Sequence, residues 1–414
     1  MPWNKAKRVG GNLLLAAGSV LLVFVASLGV DRTLGLYLHG PEVPECTELL
    51  FPPGLEHRFE TPEFRYVVRT NLWGLRDGPI ARDRGDTYRI AALGDSFTYG
   101  FGVDIEETWL KQLEARLHEA GYDVETVNLG KPGAGLPQYA ELAARAIPML
   151  EPDLIVVALL QGDDILSSWN DQTPSREIVL DCVARLWPNL LRWARGEPVY
   201  VPKEEGIEGH PFVTTAEQHR EGFAKQARED LAAMTAEERV RFDALDEAVK
   251  RLFLEGNLNP YMVSLGVRAS DFLRNGVAWG DGFLMDSIAK SAGYLATIAR
   301  EARLYGAEVL VLSVPFGAYV NRHALDTYRR VGYEVDASFL ESEAPDRAVA
   351  VACAPAGLAM LSVTEAFRAR RDDATLFYEM DGHLTPKGHA FYAEELADRL
   401  IARFGATWPK LDKE

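Results

Sequence analysis

Short apolar runs alternate with amphipathic stretches in two parts of the chain. The first part holds "YRIAAL" (Tyr88–Leu93), "VETVNL" (Val124–Leu129) and "LIVVALL" (Leu154–Leu160). These runs predict strands, and the third is apolar at every position. Strands without polar alternation are those covered on both faces, as in parallel sheets sandwiched by helices. Between them, "EETWLKQLEARLHEAGY" predicts an amphipathic helix stopped by Gly121, and "LPQYAELAARAIPML" predicts a second. The alternation resumes later. "DSIAKSAGYLATIAREARLYG" predicts a helix ending at Gly306, "EVLVLSVP" (Glu308–Pro315) a fourth strand and "GLAMLSV" (Gly357–Val363) a weaker fifth. "PKGHAFYAEELADRLIARFG" predicts a final helix with Pro386 near its start. The fold class is therefore α/β with a mainly parallel sheet of five strands, joined by right-handed crossovers.

The intervening stretch, about 169 to 282, reads as helical. "TAEQ" (Thr215–Gln218) and "TAEE" (Thr235–Glu238) fit capping boxes. Leu245, Ala248, Val249 and Leu252 share a helical face, and Gly256 is a stop signal. This segment is an insertion that covers something. Upstream of the sheet, "HRFETPEFRYVVRTNLWGLRD" predicts one or two strands closed by the turn "LRDGP".

The N-terminus has a different pattern. Lys5, Lys7 and Arg8 precede an uncharged run, whose apolar part, Leu13–Val30, has 18 residues. At about 1.5 Å per residue it covers roughly 27 Å, close to the ~30 Å hydrocarbon core. The flanking positive charge favours a cytoplasmic N-terminus, with the rest of the chain facing outward. A signal peptide cleaved on secretion is the alternative, but its apolar segment is usually about 7–15 residues. The resulting division has a cytoplasmic N-terminus (1–11), a transmembrane anchor (12–30), a Pro- and Gly-rich tether with lead-in strands (31–87), a first core part (88–168), the insertion (169–282) and a second core part (283–405).

Composition adds exclusions. The net charge of the 414 residues is -17, which opposes nucleic-acid binding because phosphates would be repelled. Cys46, Cys182 and Cys353 allow one bridge and a leftover thiol, but no disulfide framework. Walker A, Gly-x-Gly-x-x-Gly, His-Glu-x-x-His and paired-Cys motifs are missing from the sequence. Thr98 stands where a Gly-x-Ser-x-Gly elbow needs its last glycine, which argues against an α/β-hydrolase.

The candidate chemistry lies at strand ends, where open parallel sheets bind ligands. The first strand runs into "GDSFTYG", so Ser96 sits at the start of the next turn or helix. A serine hydroxyl needs a base to become a nucleophile. "EMDGHLTPKGH" (Glu379–His389) supplies His383 just before the last helix, with Asp381 two residues earlier to orient the imidazole. His389 falls inside the helix and reads as structural. The second strand ends in "NLGKPGAG" (Asn128–Gly135), whose glycines let backbone N–H groups approach a ligand. The third ends in "LLQGDDI" (Leu159–Ile165), whose polar groups sit at the same rim.

"GDSFTYG" resembles the first block of the GDSL, or SGNH, hydrolase superfamily. The order serine, glycine, third-strand rim, histidine is similar too. "TNLWGLRD" (Thr70–Asp77) resembles the Asn-x-x-Gly-x-Arg segment of a bacterial membrane-anchored branch. The resemblance covers roughly residues 70–168 and 283–403. It implies a flavodoxin-like three-layer α/β/α fold and a serine esterase or acyltransferase with no metal or organic cofactor. It implies Ser96 as nucleophile and oxyanion donor, Gly133 as the second-block glycine, His383 as base and Asp381 as its orienter. Asp95 and Asp163 fall beside these as supporting residues.

Two departures bear on activity. The third block of the family is Gly-x-Asn-Asp, and its Asn donates to the oxyanion. Matched to "LLQGDDI", that position is Gly162. Loss of one such donor costs about 10²–10³ in rate. Gln161 is a substitute donor only if the loop has already turned, since strand alternation points it to the other face. Asp163 cannot donate while ionised. In addition, much of the superfamily has Asp three residues before His, whereas Asp381 is two before His383. That spacing resembles the alginate O-acetyltransferase-like group. The expected activity is removal of an acyl group, acetyl foremost, from a cell-envelope carbohydrate or lipid. O-acetyl transfer to an extracytoplasmic polysaccharide and a catalytically impaired binding or assembly protein remain open. The expected location is the bacterial inner membrane, single-pass, with the catalytic part facing the periplasm or exterior.

Overall fold

The structure is a computed structural model, and it describes residues 2–35, 47–81, 84–168, 183–184, 186–194 and 213–411. Cys46 and Cys182 lie outside the described residues, and Cys353 is a buried free thiol.

The strands, in chain order, are β1 (Glu56–Glu60), β2 (Arg65–Arg69), β3 (Tyr88–Gly94), β4 (Val124–Gly130), β5 (Leu154–Leu160), β6 (Val213–Thr214), β7 (Glu308–Val314) and β8 (Ala359–Ser362). Five of them form a parallel sheet in the order β4-β3-β5-β7-β8. This is the α/β fold that the apolar runs predict. Its central strands bury both faces, so successive residues enter different cores. Ile90, Ala92, Val156 and Leu310 join one core with the helices Trp109–Glu119 and Pro386–Phe404. Ala91, Leu93, Ile155 and Val157 join the other with the helices Leu136–Leu150 and Gly282–Leu304. Full burial of each such side chain stabilises by roughly 1.5–3 kcal/mol.

The lead-in segment forms an antiparallel hairpin, β1 with β2. The two-residue strand β6 adds parallel to β1. It belongs to the stretch that reads as wholly helical, and two residues are too few to show a period. The remaining described part of that stretch is helical, with helices including Ala216–Ala233, Ala236–Asp243, Glu247–Leu254 and Pro260–Arg268. Thr215 and Thr235 each cap through a capping box.

The N-terminal helix spans Pro2–Gly35 and so runs past the expected anchor into the expected tether. Leu15–Gly35, with mean hydropathy 1.7 and only 6% of its most apolar window buried, is long and apolar enough to cross a membrane. Its lower end packs on the insertion side of the molecule. Trp187 Nε1 donates to Ser27 Oγ at 2.9 Å, and the Leu190 N–H donates to the buried Asp31 carboxylate at 2.8 Å.

Candidate active site

β3 ends at Gly94, and Ser96 opens the short helix Ser96–Tyr99. The Asp95 carboxylate caps that helix by accepting from Phe97 N–H at 2.9 Å. The turn is tight enough to need glycine on two strands. A Cβ on Gly94 would lie 2.1 Å from Thr98 Oγ1, and one on Gly130 would lie 2.2 Å from Tyr99 N. Buried Arg76 braces the far end of the turn. Its guanidinium donates to the carbonyls of Tyr99 and Gly100 at 2.6 Å each, and to Val103. Asp77 accepts from Asn128 N–H and Lys111 Nζ, both at 2.8 Å, and so ties the same segment to β4. The Asn-x-x-Gly-x-Arg resemblance marks this segment in sequence, although it assigns Arg76 and Asp77 no role.

His383 reaches this turn from the loop before the last helix. Its Nε2 lies 2.8 Å from Ser96 Oγ, and its Nδ1 hydrogen-bonds the Asp381 carboxylate. His383 and Asp381 are both buried. The loop is held by Glu63, from the β1–β2 turn, whose carboxylate accepts from Met380 N–H at 2.8 Å and Asp381 N–H at 2.9 Å. No sequence motif marks Glu63; only the tertiary contact reveals it. The rings of Phe97 and Phe101 each sit 4.9 Å from the imidazole. Burial pulls the His383 pKa down, but Asp381, Asp95 and Asp163 outweigh it and leave the pKa raised. The structure thus brings Ser96, His383 and Asp381 into one hydrogen-bonded line. Such a line can accept the serine proton and hold the resulting imidazolium. His389 lies on the final helix, where its Nδ1 accepts Trp109 N–H at 3.1 Å, and burial pulls its pKa down to about 3.

Ser96 and His383 open into a cavity of about 430 Å³. Gly133, with φ of 70°, is on its wall. Ser96 is the first residue of its helix, where N–H groups lack an intrahelical acceptor. Neither the Ser96 nor the Gly133 N–H has an acceptor among the described residues. The insertion supplies Phe223, Tyr261, Met262, Leu265 and Phe272 to the same wall. What the insertion covers is therefore this cavity.

The third-strand rim differs from the sequence reading. Gly162 and Gln161 are not on the cavity wall, but Asp163 is. Gly162 has φ of 77°, and a Cβ there would lie 2.4 Å from the Tyr319 hydroxyl. The chain turns at that glycine, and the next residue, Asp163, lies on the cavity wall. Gln161 follows strand alternation and points away. Its amide Nε2 donates to Thr364 Oγ1 at 2.7 Å, Asp346 Oδ1 at 2.8 Å and Ser313 Oγ at 3.1 Å. Asp164 is buried and fixes the turn, accepting from Leu160 N–H at 2.7 Å and Tyr139 OH at 2.9 Å. Burial, with Asp163 adding to it, pushes Asp95 up to about 7. Burial pushes Asp163 up to about 6 against the opposing effect of His383.

Residues 92–262 match the model of the GDSL-like lipase/acylhydrolase family. Over those residues the chain is similar to the GDSL/SGNH lipase-acylhydrolase superfamily. The match includes Ser96, Gly133 and Asp163, spans under half of the chain and stops well before His383. No curated protein matches the sequence. Similar solved structures include a lipase/acylhydrolase from Enterococcus faecalis, at 10% identity and TM-score 0.38, covering 79% of this chain and 100% of that one. The esterase EstA from Pseudoalteromonas sp. is similar at 10% identity and TM-score 0.35, covering 77% of this chain and 98% of that one. The acetyl xylan esterase AlAXEase has 10% identity and TM-score 0.35, covering 76% of this chain and 100% of that one. Likenesses of this size carry no argument about function.

Proposed function

We propose that the chain is a serine esterase of the cell envelope, with Ser96 as nucleophile, His383 as general base and Asp381 as the residue that orients it. The observation that carries this reading is the 2.8 Å contact between Ser96 Oγ and His383 Nε2, with Asp381 on the other imidazole nitrogen. His383 takes the serine proton as Oγ attacks the ester carbonyl. The Ser96 and Gly133 N–H groups stabilise the oxyanion. The alcohol leaves with the proton from His383, and water releases the acyl group by the reverse path. The substrate is an acylated carbohydrate or lipid. Acetyl is the acyl group expected from the family resemblance, and the apolar cavity wall leaves room for longer chains. The N-terminal helix anchors the enzyme, with Lys5, Lys7 and Arg8 on the cytoplasmic side.

The test is covalent. A fluorophosphonate probe should label the wild type and not Ser96→Ala, and p-nitrophenyl acetate turnover should vanish in the same variant. Equal labelling of both proteins would remove Ser96 from the nucleophile role. The Asp-x-His spacing favours acyl transfer as a second reading. Product analysis with an added oligosaccharide acceptor separates the two, since a transferase yields O-acyl sugar in place of free acid.

A further inference from the structure

We propose that Asp163, as a neutral carboxyl, is a catalytic residue that donates a hydrogen bond to the oxyanion; this rests on the Ser96 reading above.

The turn at Gly162 directs Asp163 onto the cavity wall that also holds Ser96, Gly133 and His383. Its side chain is half-buried. Among the described residues nothing donates a hydrogen bond to its carboxyl, whereas the adjacent Asp164 is satisfied by Leu160 and Tyr139. A partly buried carboxylate without donors is costly, and the neutral acid costs less. The neutral acid also has what the site needs, an O–H to give. It has nearly the shape of the family's oxyanion-donating Asn. Neutral carboxyls in apolar sites serve as oxyanion donors elsewhere.

Burial favours the neutral form, and His383 opposes it. Asp163 interacts with Asp95 at the end of β3 and with His383 from the histidine loop. Asp164 and Tyr139 lie behind it, and Tyr261 interacts with it from the insertion. Tyr319, Tyr328 and Tyr333 interact with it from the segment after β7. Of these groups, the imidazolium of His383 pulls the Asp163 pKa down, and burial pushes it up, to about 6.

The Ser96 O–H bond breaks, its proton goes to His383 Nε2, and Oγ bonds the carbonyl carbon. The C=O π pair moves to the oxygen, which takes the Asp163 hydrogen bond while the proton stays on Asp163. Collapse returns the pair, breaks the bond to the alcohol oxygen and sends the His383 proton to that oxygen.

Activity then requires a neutral imidazole and a neutral Asp163 together, which is the less populated of the two singly protonated forms, because Asp163 sits at about 6 and the His383 pKa is raised above its usual value. The wild-type kcat/KM is expected to rise with pH, peak, and fall about tenfold per pH unit on the alkaline side. Asp163→Asn keeps a donor that does not ionise. Its profile should rise to a plateau with no alkaline limb. Asp163→Ala keeps no donor and should be about 10²–10³-fold slower at the wild-type optimum. The readouts are p-nitrophenyl acetate hydrolysis, corrected with Ser96→Ala, and the rate of fluorophosphonate inactivation. If Asp163→Asn shows the wild-type bell, or Asp163→Ala keeps the wild-type rate, the role is overturned. If Asp163→Ala does not fold, the Asn profile decides alone. Loss of wild-type labelling at Ser96 would overturn the serine reading itself. Intact labelling with coincident profiles would overturn only the role of Asp163.

Discussion

Gly130 measures how little room the nucleophile turn has. A Cβ there would meet backbone, Tyr99 N at 2.2 Å, whereas a Cβ on Gly94 would meet the side chain of Thr98 at 2.1 Å. Rotation can move Thr98 Oγ1 away, leaving its Cβ as the nearest atom at 2.6 Å, whereas all three atoms that crowd Gly130 are backbone. Gly130→Ala is therefore expected to destabilise more than Gly94→Ala, at the upper end of the roughly 1–3 kcal/mol of an overpacked site or beyond. Urea unfolding midpoints of the two variants check the order. Sequence alone makes these residues visible as strand-end glycines, but not as contacts to each other's turn. The same limit explains Gly162. Motif matching places the family Asn there, because the direction of the two-residue link after Leu160 is invisible without its φ of 77°. Ser96, Asp381 and His383 are legible because each sits in a short motif next to a predicted strand end or helix start, and histidine is scarce in the chain.

Among the elements, the β1–β2 hairpin contributes more than its size implies. It is small and lies outside the parallel sheet. Its Glu63 nevertheless holds the two N–H groups that set the conformation of the Asp381–His383 loop. Removing the carboxylate leaves two donors without their partner, at about 1–3 kcal/mol each if they stay dry. Glu63→Ala is expected to lower kcat while moving KM less, and Glu63→Gln, which keeps one acceptor oxygen, to recover part of the loss. Steady-state kinetics on p-nitrophenyl acetate separate these outcomes. An unchanged kcat in Glu63→Ala would show that the loop holds its own shape. A pattern reading finds the hairpin because its strands alternate, but it cannot find the partner of the turn, which lies more than three hundred residues away in sequence.

For the molecule as a whole, one question is how the apolar helix is used. The full chain should sediment with membranes and stay there through an alkaline carbonate wash, at full mass. A shorter, soluble chain would show signal cleavage instead. The helix is apolar enough by composition, and that property belongs to sequence. So does the sheet: runs such as Leu154–Leu160 bury on both faces whatever packs above them, because a period of two with no polar member admits no solvent face. The chain by itself thus determined the strands of the parallel sheet, their order along the sequence, and which short motifs carry reactive groups; the strand β6 and the helices Arg322–Arg330 and Ala344–Cys353 were not legible. Only the tertiary structure decided that the insertion walls the cavity, that Glu63 steadies the histidine loop, and that Asp163 rather than Gly162 or Gln161 faces the reacting centre. Local pattern records hydrophobic period and turn chemistry, which act over a few residues. Side-chain direction after a turn, and contact between distant segments, are set by packing of the whole and leave no local trace.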